Sequence, residues 1–278
     1  MKSLKGRKIK SALMISITVI FTIAALIPLF SIFGYVLAKG LPALNIDFFT
    51  QLPAPAGEPG GGMAQAIIGT LILIILASLI GIPIGLMAGI YLSEYGRNRL
   101  GKIISFLTDI LIGVPSIVVG IVVYTLLVIP MGGFTAIAGG VALAIIMIPA
   151  VTRTTEEMLK LIPNDIREAG LALGLPKWRV ILFIVIPSAL RGIVTGVMLA
   201  VARVSGETAP LLFTAFGNSY FSTSLLQPMA SLPVQVYTYA TSPYKDWQAQ
   251  AWAGALTLIL LVLLFNVSAR FLTRQRSS

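Results

Sequence analysis

The 278-residue chain contains neither cysteine nor histidine. Without cysteine it has no disulfide and no thiol chemistry. Without histidine it lacks the commonest metal ligand and the commonest general base near neutral pH, so no metal, no cofactor and no enzymatic activity of its own are expected. Charge is also scarce: Asp, Glu, Lys and Arg make up 11% of the residues, against about a quarter in a soluble domain. Hydrophobic residues make up 57% and the mean hydropathy is +0.95. These values exclude an ordinary soluble domain and predict an all-α integral membrane protein. A formal charge of +10 would suggest nucleic acid in a soluble protein. Here the basic residues fall in the gaps between apolar runs, where membrane topology accounts for them.

Six apolar runs read as spans; five are long enough to cross a hydrocarbon core of roughly 30 Å, and the fourth is shorter and rich in small residues, which suits a helix buried among others. They cover about residues 12–38, 63–92, 103–129, 135–151, 187–212 and 249–272. The first follows a basic N-terminus (MKSLKGRKIK) and is too long for a signal peptide, so it reads as an uncleaved span. Of the twenty basic residues, all but Lys39, Lys245 and Arg203 fall on one side if both termini are cytoplasmic, which fixes that orientation as the expected one. The expected division is a cytoplasmic N-terminus (1–11), a first span with an irregular external Pro/Gly-rich loop (12–62), a core (63–272) with a cytoplasmic charged loop (152–186), and a cytoplasmic tail (273–278). In the second span Gly81, Gly85 and Gly89 line one helix face, which predicts close helix packing, and Pro83 predicts a kink. Asp109 is expected at the cytoplasmic edge, within reach of a basic neighbour. Tyr237, Tyr239, Tyr244 and Trp247 suit an interfacial belt or a docking surface. Gly96, Gly101 and Lys102 nearly match a phosphate-binding loop, but Ile103 stands where Ser or Thr is needed and no strand precedes, so no nucleotide site is expected.

Two stretches carry the functional signal. Between the fourth and fifth runs, residues 153–177 are strongly charged. Asn164 and Asp165 suit a helix start, and Gly174 followed by Leu175-Pro176 suits a stop. A short helix there reads either as a contact for another protein or as a helix lying on the membrane surface. In the fifth run, Arg203 lies about 18 Å beyond Arg191 along the helix, with Glu207 expected one turn further on nearly the same face. Each lone charge at that depth costs at least about 2.5–3.5 kcal/mol. Two readings stay open, and they are compatible: the pair locks the bundle, or Arg203 meets an anion through its planar, permanently charged fork.

Glu168-Ala169-Gly170, three residues, Gly174, nine residues and Ile184-x-Ile186-Pro187 together resemble the EAA loop of ABC-importer permeases. That loop reads Glu-Ala-Ala, three residues, Gly, nine residues, Ile-x-Leu-Pro; this chain departs at Gly170 and Ile186. The stretches DILIGVPSIVVGIVVY (from Asp109), ARVSGETAPLLFT (from Ala202) and SPYKDWQAQAWAGAL (from Ser242) are similar to the PstA-type permeases of bacterial phosphate importers. The resemblance implies a type I ABC-importer permease in the bacterial inner membrane. It implies that Glu168, Ala169, Gly170 and Gly174 couple to a separate ATPase, and that Arg203 and Glu207 line the path of phosphate. The implied partners are a homologous second permease (PstC-type), two copies of the ATPase and an extracytoplasmic phosphate-binding protein. The external segment 213–248, with Lys245, Asp246 and Trp247, is the candidate surface for docking that binding protein. The rival expectations are a permease for another oxyanion, such as sulfate or molybdate, and a secondary anion transporter that needs no ATPase.

Overall fold

The computed structural model describes residues 4–58 and 60–274. Lys2, Pro59 and Arg276, which enter the sequence reading, lie outside the described residues. Among the described residues the chain is helical and has no β-strand. Five helices are long and apolar enough to cross a membrane, and a bent pair of helices has the length and composition for a sixth span.

Helix α1 (Leu4–Gly40) leaves its apolar residues uncovered and meets the rest of the chain only near its end. There Val36 is buried and Tyr35 sits edge-on to Trp252, with ring centroids 5.1 Å apart. The Pro/Gly-rich segment that follows is more ordered than its composition suggests. Asn45 caps a short helix, α2 (Ile46–Thr50), by accepting a hydrogen bond from the Phe48 N–H at 2.7 Å. The Phe48 side chain is buried among Met63, Ala230, Leu232 and Tyr239, so part of the expected loop belongs to the core.

Helix α3 (Ala64–Tyr95) runs alongside α6 (Ala136–Lys160), and the glycine face predicted for it is the contact. A Cβ built on Gly85 would lie 2.7 Å from the Val151 Cβ, and one on Gly89 would lie 2.6 Å from the Thr152 carbonyl oxygen. The other side of α6 meets α8 (Lys177–Ser205) in the same way, with Gly192 against Met158 and Gly196 against Thr154. Helix α6 itself is rich in Ala and Gly where it is buried (Ala136, Ala138, Gly139, Gly140, Ala142, Ala144), so three backbones approach closely. Lipid offers no hydrophobic drive for helix association, and such packing supplies the attraction instead.

The third span is not one straight helix, as the apolar run suggests. It consists of α4 (Arg99–Gly113) and α5 (Ser116–Met131), bent by 105°. Val114 (ψ 129°) and Pro115 (ψ 134°) are extended, because a proline disfavours helical backbone at the residue before it and lacks the N–H to continue a helix. Two later prolines are absorbed without a break. Before Pro130 and before Pro187 the helix widens into one π turn, Tyr124–Val128 and Ile181–Val185. The residue preceding each proline donates five residues back, Ile129 to Tyr124 and Ile186 to Ile181, which makes room where the ring would meet a carbonyl.

The fourth span also runs further than its apolar run, continuing through Lys160. Its charges are accommodated by pairing: Glu156, almost wholly buried, binds Arg153 at 2.9 Å and Lys160 at 2.5 Å, and Arg153 also pairs with Asp109 of α4. The basic neighbour expected for Asp109 is thus Arg153. The apolar interior, with Leu73, Ala77, Leu143, Met147, Val201 and Val204 at its centre, lies between α3, α6 and α8. Replacing Gly85 with Leu is expected to destabilise the protein by at least about 1–3 kcal/mol through overpacking against Val151. Gly34→Ala, on an open face of α1, is expected to stay within about 0.5 kcal/mol. Thermal unfolding in detergent compares the two.

Candidate functional site

Helix α7 (Asn164–Ala172) stands between the ends of α6 and α8. Its end is a Schellman motif, in which the Gly174 N–H donates to the Leu171 carbonyl at 2.9 Å and the Leu175 N–H to the Gly170 carbonyl at 3.3 Å. Gly174 has φ +77°, the left-handed backbone that favours glycine there. Pro176 then permits a new helix start at Lys177. The resulting helix–turn–helix has two faces. Gly170 is buried, and a Cβ there would lie 2.9 Å from a Val180 methyl. Glu168, Ala169 and Leu171 point outward, and Leu173 is 81% exposed. Of the four motif residues, the outward Glu168 and Ala169 are therefore free for contact, whereas Gly170 and Gly174 shape the backbone.

Beside α7 lies a cleft with a volume of about 910 Å³. Glu94, Arg97, Lys102, Asp109, Lys160 and Arg167 line it, so both signs of charge meet there. Its floor holds the end of α3 and the start of α4, where the near match to a phosphate loop sits. Asn98 caps α4 by accepting from the Gly101 N–H at 2.8 Å, and Gly101 packs on the Gly96 backbone. That turn follows a helix instead of a strand, and its glycines face each other, leaving no cradle for a phosphate.

The second candidate pair is at the opposite end of the helices. Helix α8 stops at Ser205, and the Gly206 and Glu207 N–H groups fold back onto the Arg203 and Val204 carbonyls at 3.2 Å each. Glu207 is thus past the helix end rather than one turn along the same face, and no ion pair joins it to Arg203. A locked Arg203–Glu207 pair, one of the two open readings, is absent from this chain. Arg203 is exposed and Glu207 half-buried. Helix α9 (Ala209–Thr214) follows and rests on α5, with Pro210 against Gly120. The Phe216 backbone, at φ 60°, turns the chain after α9, and its ring stacks on Phe134 at 5.0 Å.

The aromatic segment between α9 and α11 (Lys245–Arg274) divides differently from its sequence reading. Tyr239, on α10 (Leu232–Ala240), is buried and stacks on Trp247 at 4.4 Å, so these two belong to the core, while Tyr237 and Tyr244 are exposed. No group of residues that could hold a metal occurs among the described residues.

What the sequence reading missed is Arg167. Its guanidinium reaches Glu94 of α3 at 2.6 Å and the carbonyls of Leu159 and Ile162 at 2.9 and 2.6 Å. The signal was an arginine adjacent to the outward Glu168, and the distant carboxylate it needs cannot be found by spacing. Replacing Gly174 with Val is expected to cost about 1–2 kcal/mol from the left-handed backbone, whereas Asn is tolerated there. The check is tryptic cleavage at Lys177 in detergent, faster in the Val variant and unchanged with Asn.

Residues 81–278 match the family model described as binding-protein-dependent transport system inner membrane component. The chain is 50% identical over 233 residues to the phosphate transport system permease protein PstA of Yersinia pestis, covering 84% of this chain and 79% of that protein. It is 46% identical over 272 residues to the protein of the same name from Pasteurella multocida, covering 98% and 97%. Its fold is similar to an inward-facing structure of the MetNI methionine ABC transporter (TM-score 0.65, 20% identity), covering 78% of this chain and 96% of that one. It is also similar to a bacterial ABC transporter involved in import of the polysaccharide alginate (TM-score 0.62, 14% identity), covering 99% and 100%. This all-helical chain is a multi-pass inner-membrane transport component rather than an enzyme, and it belongs to the PstA permease family.

Proposed function

We propose that the chain is the permease subunit that carries inorganic phosphate through an ATP-driven importer. The identity of 46–50% to PstA permeases, extending over nearly the whole chain, carries this reading. A permease of this class works with an ATPase, a substrate-binding protein and a second permease. Here the second permease is PstC-type, the ATPase is present in two copies, and phosphate is delivered by an extracytoplasmic binding protein. Both termini and α7 face the cytoplasm, in keeping with the distribution of basic residues.

Glu168 and Ala169 on the outward face of α7 dock on the ATPase, with Gly170 and Gly174 holding that face in shape. The schematic order is that ATP binding closes the ATPases, moves α7, and rocks the spans toward the outward-facing state. Phosphate then enters past Arg203 and Glu207. An exposed, unpaired arginine at the end of a membrane helix is supported only by a polar surrounding. A water-filled path against the second permease provides one, and the guanidinium fork suits a phosphate oxyanion. Glu207, close by but not paired with Arg203, leaves the fork open to the anion.

Reconstituted with its partners, the complex should take up phosphate only when ATP is supplied, with little competition from sulfate or molybdate. Uptake driven by an ion gradient without ATP would overturn this reading in favour of a secondary transporter. Arg203→Gln should lower uptake roughly ten- to a hundredfold with the complex intact, since a charge-assisted contact is worth about 1.5–3 kcal/mol. Glu168→Lys should release the ATPase from the purified complex without altering membrane insertion.

A further inference from the structure

Arg167 has no place in the resemblance that drew attention to α7, yet it makes more polar contacts than any residue of the motif. Its Nη2 lies 2.6 Å from Glu94 Oε1, and its Nε lies 3.2 Å from both Glu94 oxygens. Nη1 donates to the Ile162 carbonyl at 2.6 Å and Nη2 to the Leu159 carbonyl at 2.9 Å. One planar fork thus holds the last turn of α3, the Leu159 carbonyl at the end of α6 and the Ile162 carbonyl just beyond it, a geometry that lysine cannot reproduce. The pair is shielded from solvent: the Glu94 side chain is 4% exposed and that of Arg167 17%. A second tie reaches α3 from the far side of the loop. Lys177 donates to the Glu94 backbone carbonyl at 2.7 Å, and its ammonium sits 4.0 Å from the centre of the Tyr95 ring.

Helix α7 also packs on its α8 side, where Gly170 lies against Val180 and Ile184. Its outward face carries Glu168 and Ala169, and its inward polar contacts are those of Arg167. A force applied to the outward face therefore has two routes inward: an apolar one to α8, and one to α3 and α6 through a single guanidinium. We propose that Arg167 and Glu94 are the positioning pair that transmits movement of α7 to α3 and α6, so that ATP hydrolysis drives transport. The inference rests on the proposed function only in taking α7 as the ATPase-docking helix. Neither residue touches the transported anion.

The test uses the assembled complex in liposomes with Arg167→Lys, Arg167→Gln and Glu94→Gln. Arg167→Lys keeps a cation beside the buried Glu94 and so protects folding, while removing the fork. Each variant is expected to retain the ATPase and to hydrolyse ATP, while phosphate moved per ATP falls roughly two- to thirtyfold, the range of a coupling mutation. The double variant Arg167→Gln/Glu94→Gln should be no worse than either single one, because both remove the same link. Unchanged phosphate per ATP in all the single variants would overturn the proposal. Loss of the ATPase and of transport in proportion, with Arg167→Lys behaving as wild type, would also overturn it by making the pair only a support of the fold.

A readout independent of phosphate separates this inference from the function it rests on. The chain has no native cysteine, so spin labels can be placed at Ile68 of α3 and Leu199 of α8, both exposed. ATP should change their separation by a different amount in Arg167→Gln than in the wild type, because in the variant α8 keeps its apolar route while α3 loses its own. That result in a complex that failed to import phosphate would keep the transmission pair and refute the substrate. An equal ATP-driven change in both would refute the transmission pair.

Discussion

The fold depends on how closely α6 can be approached from two sides. On one side Gly81, Gly85 and Gly89 of α3 lie against Met147, Val151 and Thr155, and on the other Gly192 and Gly196 of α8 lie against Met158 and Thr154. In a bilayer, lipid tails solvate an apolar helix as well as another helix does, so association relies on contact density. Glycine provides it by removing the side chain that would hold the backbones apart. Helix α6 thereby becomes a central strut, and α3 and α8 keep their bulky residues for faces that meet lipid or another chain.

The same strut ends in charge. Asp109, Arg153, Glu156 and Lys160 form one chain of ion pairs from α4 along the last turns of α6. Glu94 and Arg167 form a second pair a few residues away. Pairs of this kind are weak sources of stability, since desolvation offsets most of the attraction, but a single missing partner leaves a buried charge uncompensated. They tie helices that otherwise touch through small apolar residues. The glycine contacts fix how close the helices lie, and the ion pairs fix which ends stay together.

How much of this was legible in the sequence varies residue by residue. Hydropathy located the five long apolar helices and the bent pair, because burial in lipid is a property of composition. The glycine face of α3 was legible because four-residue spacing places residues on one side of any helix. Gly174 with Pro176 marked the end of α7 through backbone preference alone. The 105° bend at Val114–Pro115 was missed because an apolar run has no direction, although the proline was in view. The extension of α6 to Lys160 was missed because charge was taken as a sign of solvent, whereas Glu156 is buried between Arg153 and Lys160, at the i,i+3 and i,i+4 spacing of a helix. Glu207 was expected within the helix because nothing in the apolar run marks the helix end at Ser205. Arg167 was passed over because Glu94 is 73 residues distant in the chain.

The π turn at Ile181–Val185 divides α8 into unequal lengths. From its midpoint at Phe183, the helix runs roughly 9 Å back to Lys177 and roughly 30 Å forward to Arg203, at about 1.5 Å per residue. If the helix pivots there, it acts as a lever with a mechanical advantage of about one to three. A shift of about 1 Å at the short arm, beside α7, then sweeps the guanidinium of Arg203 through roughly 3 Å, comparable to the length of a hydrogen bond. With the pivot there, the proline near one end of the helix would set how far the other end travels.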